Sequence, residues 1–255
     1  MTEARTRRSS QEAAAFALPP DRLPLFIRAC EAFGRAFIQC FTRVEVEGLD
    51  NVPRQGRLII AANHLSNADP PLMACWLTPA LGRPIHWMAK EEALGWPVAG
   101  WVMRQNGAFG VRRGGTDMAA FRLAQRVLEE DRVLGVYPEG TRSPTGALVK
   151  AKEGVTLLAL RTGAPVLPVG VAGTDRIWPR DSMIWRFGGP ISMRVGVPFH
   201  LERGNGPDGE RESLEEVTDR LMAQIAELLP ERHRGVYAHL VAGRENAPAP
   251  HSDDH

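Results

Sequence analysis

Cysteine is scarce in this chain of 255 residues: Cys30, Cys40 and Cys75 are all it has. Three cysteines cannot close a disulfide framework and none sits in a C-x-x-C pair. A zinc ribbon and a thioredoxin-type redox site are therefore excluded, and a reducing compartment is the default expectation. An excess of one charge is also missing. Lys and Arg number 31 against 30 Asp and Glu, a formal net charge of +1, which argues against a protein that wraps nucleic acid by bulk electrostatics. Lysine occurs only as Lys90, Lys150 and Lys152, a bias first read as coding preference. No uncharged run reaches the ~18 residues that span a bilayer; the longest, 70–82 and 162–174, carry prolines. The first 20 residues lack the apolar stretch and cleavage site of a signal peptide. There is no G-x-S-x-G elbow for a serine lipase and no P-loop. Gly204-Asn-Gly-Pro-Asp-Gly209 formally reads G-x-G-x-x-G, but it lies late, contains Pro207 and precedes no βαβ unit, so it is a loop. No metal site is expected; the closing His251-Ser-Asp-Asp-His255 reads as a solvated terminus.

What is present is ordinary for a packed chain: 44% hydrophobic and 24% charged residues, at a one-domain length. Residues 1–20 and 242–255 read as disordered tails. Between them strand-like and helix-like segments alternate. Strands are expected at 43–47, 57–61, 84–88, 133–137, 166–171 and 191–197, short runs rich in Val and Ile and bounded by Gly, Pro or Asn. Helices are expected at 23–42, 70–77, 117–130, 155–162 and 214–229, the last opened by a Ser213/Glu216 capping box and closed by Pro230. Such alternation predicts an α/β fold, a mixed central sheet flanked by helices.

The segment 21–42 is an amphipathic helix. At ~100° per residue, Phe26, Cys30, Phe33, Phe37 and Phe41 form one stripe, and Arg28, Glu31, Arg35 and Gln39 lie opposite. Two readings stay open: a surface helix that packs this stripe on the core, and an interfacial helix with its aromatic face in lipid.

The chemistry concentrates in two loops. Ile59-Ile-Ala-Ala-Asn63-His64-Leu-Ser66-Asn-Ala-Asp69-Pro70 runs from an apolar strand into a polar loop and then a helix start. His64 therefore sits past the carboxyl end of a strand, where open α/β sheets place their ligands. Across the turn Asp69 can meet the imidazole, fix its tautomer and leave the other nitrogen as a proton acceptor. A structural histidine beside an N-capping aspartate is the plain alternative. Val136-Tyr137-Pro-Glu139-Gly140-Thr141-Arg142-Ser143 ends another strand and offers a carboxylate, a permissive glycine, a hydroxyl and a guanidinium; with Lys150 and Lys152 nearby it suits an anion. A third segment, Gly107-Ala-Phe-Gly-Val-Arg112-Arg113, could clamp a phosphate.

Together these segments resemble the lysophosphatidic-acid acyltransferase (glycerolipid acyltransferase) family. Asn63-His64-Leu-Ser66-Asn-Ala-Asp69 is similar to its H-x4-D motif and Gly107–Arg113 to its second motif, with the final Arg at Arg113. Tyr137–Ser143 is similar to its F-P-E-G-T-R-S motif, Lys152-Glu-Gly154 to the K-x-G that follows, and Ala164–Gly170 to its fourth motif. Order and spacing agree from about residue 43 to 200. Tyr137 replaces the usual Phe, and Arg112 stands where many members carry Asp. The resemblance implies that 43–241 is the acyltransferase domain, preceded by a membrane-interface helix at 21–42. It implies transfer of a fatty acyl chain from a thioester donor, acyl-CoA or acyl carrier protein, to a hydroxyl of a lysophospholipid, foremost 1-acylglycerol 3-phosphate. His64 is the general base and Asp69 its orienting partner. Asn63, Ser66, Arg113, Glu139, Gly140, Thr141, Arg142 and Lys152 bind substrate, and backbone N–H groups near Gly140 are candidates to stabilise the tetrahedral oxyanion. No cofactor is expected beyond the thioester co-substrate, and no nucleic acid partner. The enzyme would sit peripherally on the cytoplasmic side of a membrane. Cys75 reads as a buried core thiol, and 87–103, with Trp87, Trp96 and Trp101, as acyl-tunnel lining or core. Acceptance of glycerol 3-phosphate, another lysolipid or a glycolipid, and a catalytically silent lipid-binding module, are the competing readings.

Overall fold

The computed structural model describes residues 23–111, 117–180, 185–186, 188–205 and 210–245. The expected tail 1–20 lies outside these residues, as do Arg112, Arg113 and 246–255. Seven strands form one sheet: β1 (Val44–Glu47), β2 (Leu58–Ala62), β3 (Ile85–Lys90), β4 (Phe109–Val111), β5 (Val133–Val136), β6 (Val166–Ala172) and β7 (Ile191–Val195), in the order β1-β7-β6-β2-β5-β3-β4. Five strands run parallel; β7 pairs antiparallel with β6 and carries β1 with it, so the sheet is mixed, as expected. Every residue of β2, β5 and β6 is buried. Central strands covered on both faces need continuous apolar runs, which is why these segments show no alternation. At the edge, β1 alternates half-buried Val44 and Val46 with exposed Glu45 and Glu47.

The helices are α1 (Leu25–Phe41), α2 (Asp69–Leu81), α3 (Glu91–Leu94), α4 (Ala99–Gln105), α5 (Met118–Glu129), α6 (Gly154–Thr162), α7 (Thr174–Ile177), α8 (Leu214–Glu227) and α9 (Ala238–Glu245). Successive residues of β2 point to opposite faces. Ile59 joins Leu134 and the apolar sides of α5, α6 and α8, while Leu58 and Ile60 join α2, Ile85, Leu167 and Met193. The capping box of α8 forms as expected, and Asp117 caps α5 by accepting from the N–H groups of Ala119 and Ala120. The elements without a sequence expectation, β4, α3, α4, α7 and α9, span three to eight residues, too few for a period to show. α9 runs past residue 241, where the C-terminal tail was expected to begin.

α1 divides differently from the expectation. Phe26, Phe33, Phe37 and Phe41 are 56%, 72%, 41% and 46% exposed, so the stripe does not pack on the core. A second stripe, Ile27, Glu31, Gly34 and Ile38, does so against α2. Glu31, expected on the polar side, is buried among these contacts and hydrogen-bonds Thr78. Arg35 lies with its guanidinium 5.2 Å from the centre of the Trp76 ring. Trp101 comes within 5.6 Å of Phe26, and Trp96, Val98 and Trp101 are all exposed. The run 87–103 therefore splits: Trp96 and Trp101 are exposed, Trp101 beside Phe26, while Trp87 is buried in the core and Leu94 and Met103 pack against it. Among the described residues no helix is long and apolar enough to cross a membrane.

Because β2, β5 and β6 are parallel, their carboxyl ends share one edge. The loops that leave them, 63–68, 137–153 and 173–180, converge there.

Candidate active site

The loop after β2 is held from every side. The Asn63 side chain bridges to β6 as a strand would, donating to the carbonyl of Val171 at 2.8 Å and accepting from its N–H at 2.7 Å. Ser66 donates to the carbonyl of Trp178 at 2.7 Å and accepts from the N–H of Ala68. Both residues are fully buried. Their side chains tie the loop to the backbone of β6 and of the segment after it.

The loop delivers His64 to Asp69. The Nδ1–Oδ2 distance is 2.9 Å, with Asp69 fully buried and the imidazole 14% exposed. Oδ2 also accepts from the N–H groups of Leu65 at 2.7 Å and Ser66 at 2.8 Å, and Oδ1 accepts from the Thr174 hydroxyl at 2.5 Å. Four donors converge on one side chain, which is the environment of a carboxylate. Accepting from Nδ1–H leaves Nε2 with its lone pair.

The Tyr137–Ser143 loop is stitched onto this one. Glu139 Oε1 accepts from the N–H of His64 at 2.9 Å, Oε2 accepts from the N–H of Val149 at 3.0 Å, and the N–H of Ser143 donates to the carbonyl of His64 at 2.7 Å. Glu139 is 3% exposed. Burial pushes its carboxyl up to about 7, the two backbone bonds work against this, and the charge of Asp69 adds to it. Each of its oxygens accepts one backbone N–H, so the side chain ties the two loops together. Gly140 has φ +66°, a conformation that favours glycine, and its open face is covered by the Lys152 side chain. Its N–H closes a turn onto the carbonyl of Tyr137, which removes it as an oxyanion donor.

Thr141 and Arg142 are half-buried and Lys152 is exposed over Gly140. Arg142 donates to the carbonyl of Arg180 at 2.8 Å, and Arg180 donates to that of Arg142 at 3.1 Å. The two arginine side chains are thereby each anchored on the other's backbone. Lys150 instead pairs with Glu215 at 2.6 Å. Arg113 lies outside the described residues. Cys75 is buried against α1, its thiol pushed up to about 11 first by burial and then by Glu31, which makes it a core group and not a nucleophile. Among the described residues no three His, Cys, Asp or Glu are grouped to hold a metal ion.

Thr174 and Arg180 were not among the expected site residues. The available signal was positional: both follow the carboxyl end of β6, on the same edge as His64.

An imidazole held by a buried carboxylate thus lies at the carboxyl edge of a mixed α/β sheet, an arrangement in which the free ring nitrogen can accept a proton. The family model described as Acyltransferase matches residues 43–172. That is just over half of the chain, and the protein belongs to this acyltransferase family. It is similar to a 1-acyl-sn-glycerol-3-phosphate acyltransferase of Pseudomonas aeruginosa, 28% identical over 74% of this chain and 70% of the relative. A lyso-ornithine lipid O-acyltransferase of the same organism is 35% identical over 50% of this chain and 47% of that relative. Among solved structures, the 1-acyl-sn-glycerophosphate (LPA) acyltransferase PlsC from Thermotoga maritima shares the fold, with a TM-score of 0.63 and 24% identity over 88% of this chain and 81% of that one.

Proposed function

We propose that this acyltransferase moves a fatty acyl chain from an acyl-CoA or acyl carrier protein thioester to the free hydroxyl of 1-acylglycerol 3-phosphate, giving phosphatidic acid. The observation that carries this reading is the 2.9 Å bond between His64 and buried Asp69. Nε2 of His64 takes the hydroxyl proton as the oxygen attacks the thioester carbonyl. The tetrahedral state collapses, the C–S bond breaks, and the thiolate leaves with that proton returned to it by the imidazolium. General-base help of this kind contributes about 10²–10⁴-fold. No further cofactor enters the reaction. Arg142 and Arg180, with Arg113 from the second motif, hold the phosphate; Thr141 and Lys152 flank it.

The protein acts as a peripheral enzyme on the cytoplasmic face of a membrane. Exposed Phe33, Phe37 and Phe41 pack ring on ring along α1, and Phe26 meets Trp101, an apolar, aromatic surface suited to the bilayer interface. The similarity to a lyso-ornithine lipid acyltransferase favours a second reading in which the acceptor is a zwitterionic lysolipid. Thiol release measured against a panel of acceptors decides between them. Fastest turnover with 1-acylglycerol 3-phosphate, lost in His64→Ala with the fold retained, is the expected result. Full turnover in the variant would exclude the base assignment.

A further inference from the structure

The hydrogen bond to Asp69 selects the flip of the His64 ring that turns Nδ1 to the carboxylate and so orients the base. The torsion that sets the plane of an imidazole is broad within each of its two wells, so one hydrogen bond leaves the ring room to rock. The face of the ring is held by something else. The Tyr137 ring lies 3.9 Å from it, centre to centre, at an interplanar angle of 14°. Trp87 backs Tyr137 at 5.5 Å and 21°, so three rings stack from β3 through the end of β5 to the base. The stack has its own support. Gly135 pairs with Trp87 across β3 and β5, and a Cβ at Gly135 would come within 2.5 Å of the indole; the glycine leaves the floor open for it. From the far end of the ring the Tyr137 hydroxyl contacts Met73 Sδ at 3.9 Å, one turn beyond Asp69 on α2.

We propose that Tyr137 is a positioning residue for the base, its ring setting the plane of His64 so that Nε2 faces the acceptor while Nδ1 stays on Asp69. The proposal rests on the reading of His64 as the proton acceptor. A π face against the imidazole also favours the imidazolium that forms in the transition state. The aromatic ring is what matters. The hydroxyl is buried and held in its neutral form by that burial first, and then by the charge of Asp69, so it relays no proton.

The test uses the full chain and three variants. Tyr137→Leu and Tyr137→Met remove the π face, Met while filling most of the volume; Tyr137→Phe keeps the ring. The expected result is a loss of about tenfold or more in kcat for Leu and Met with KM for both substrates within twofold of the wild type, and recovery of kcat in Phe. In parallel, histidine-labelled protein should show the His64 ring protons shifted upfield by the Tyr137 ring current in the wild type and Phe variant only. Wild-type kcat in a folded Leu or Met variant overturns the proposal, and so does a Phe variant as impaired as Leu. Wild-type protein that transfers no acyl chain to any acceptor overturns the acyl-transfer reading instead, and the ring-proton shifts then report the stack independently of turnover.

Discussion

Thr174→Val removes one hydroxyl and almost nothing else, because Val keeps the β-branched shape. In the wild type that hydroxyl donates to Asp69 Oδ1 at 2.5 Å, and both residues are fully buried. Water cannot replace the donor at such a site, so the variant leaves one lone-pair region of a buried carboxylate without its partner. A hydrogen bond to a charged group contributes about 1.5–3 kcal/mol, and stranding a buried acceptor costs about as much. We therefore expect a loss of about 2 kcal/mol in stability, a fall in Tm of roughly 4–8 °C for a domain of this size. Thr174→Ser keeps the donor and should recover most of it. The three bonds to Oδ2 are untouched, so the dyad persists and kcat falls by about tenfold or less, far short of His64→Ala. Thermal unfolding of the three proteins, with thiol-release kinetics on the same samples, checks both statements. Equal Tm values for Val and wild type, or a Ser variant as unstable as Val, would refute the idea that this hydroxyl supports the carboxylate.

Two buried glutamates separate by pH and by partner. Burial, the leading cause for each, pushes Glu31 and Glu139 up to about 7. A carboxyl whose folded pKa lies above its unfolded value binds more protons when native, so stability from these groups falls as pH rises from about 4.5 to about 7. Glu31 Oε1 has no hydrogen-bond partner, so Glu31→Gln should raise Tm at pH 8 and leave it nearly unchanged at pH 5; a Tm difference independent of pH would contradict this. Glu139 accepts two backbone N–H bonds, and an amide has a single acceptor oxygen, so Glu139→Gln should lower both Tm and kcat; unchanged kcat would dismiss its hold on the His64 loop. Phe33→Ser with Phe37→Ser removes apolar area that is already exposed, at about 25 cal/mol per Å²; liposome sedimentation should weaken by roughly tenfold or more with Tm unchanged. Undiminished sedimentation would argue against lipid contact. Substitution is a cleaner test than deletion of α1, because Ile27 and Ile38 pack on the core.

Much of this was legible in the order of residues. The alternation of strand-like and helix-like segments implied a central sheet flanked by helices, and the runs around Ile59, Leu134 and Val169 are continuously apolar because strands covered on both faces must be. The strand–loop–helix reading of 58–81 put His64 and Asp69 within reach, since only a turn between them lets side chains five residues apart meet. The capping box at Ser213 and the stripe of phenylalanines on α1 were likewise local patterns. What stayed hidden depends on contacts between distant segments. Asn63, Ser66 and Glu139 are polar and cluster beside the base, but only the fold shows that their hydrogen bonds run to backbone brought in at Val171, Trp178 and His64. Thr174 and Arg180 follow a different strand, with no spacing to mark them. That the ring of Tyr137 lies flat on the imidazole was visible only in the fold. Side-chain chemistry and short-range periodicity are written along the chain, so the longer elements and the nearness of His64 to Asp69 could be read from it. Which polar atom meets which is decided only when β2, β5 and β6 align their carboxyl ends, because a buried hydrogen bond depends on partners that lie 75 to 112 residues away.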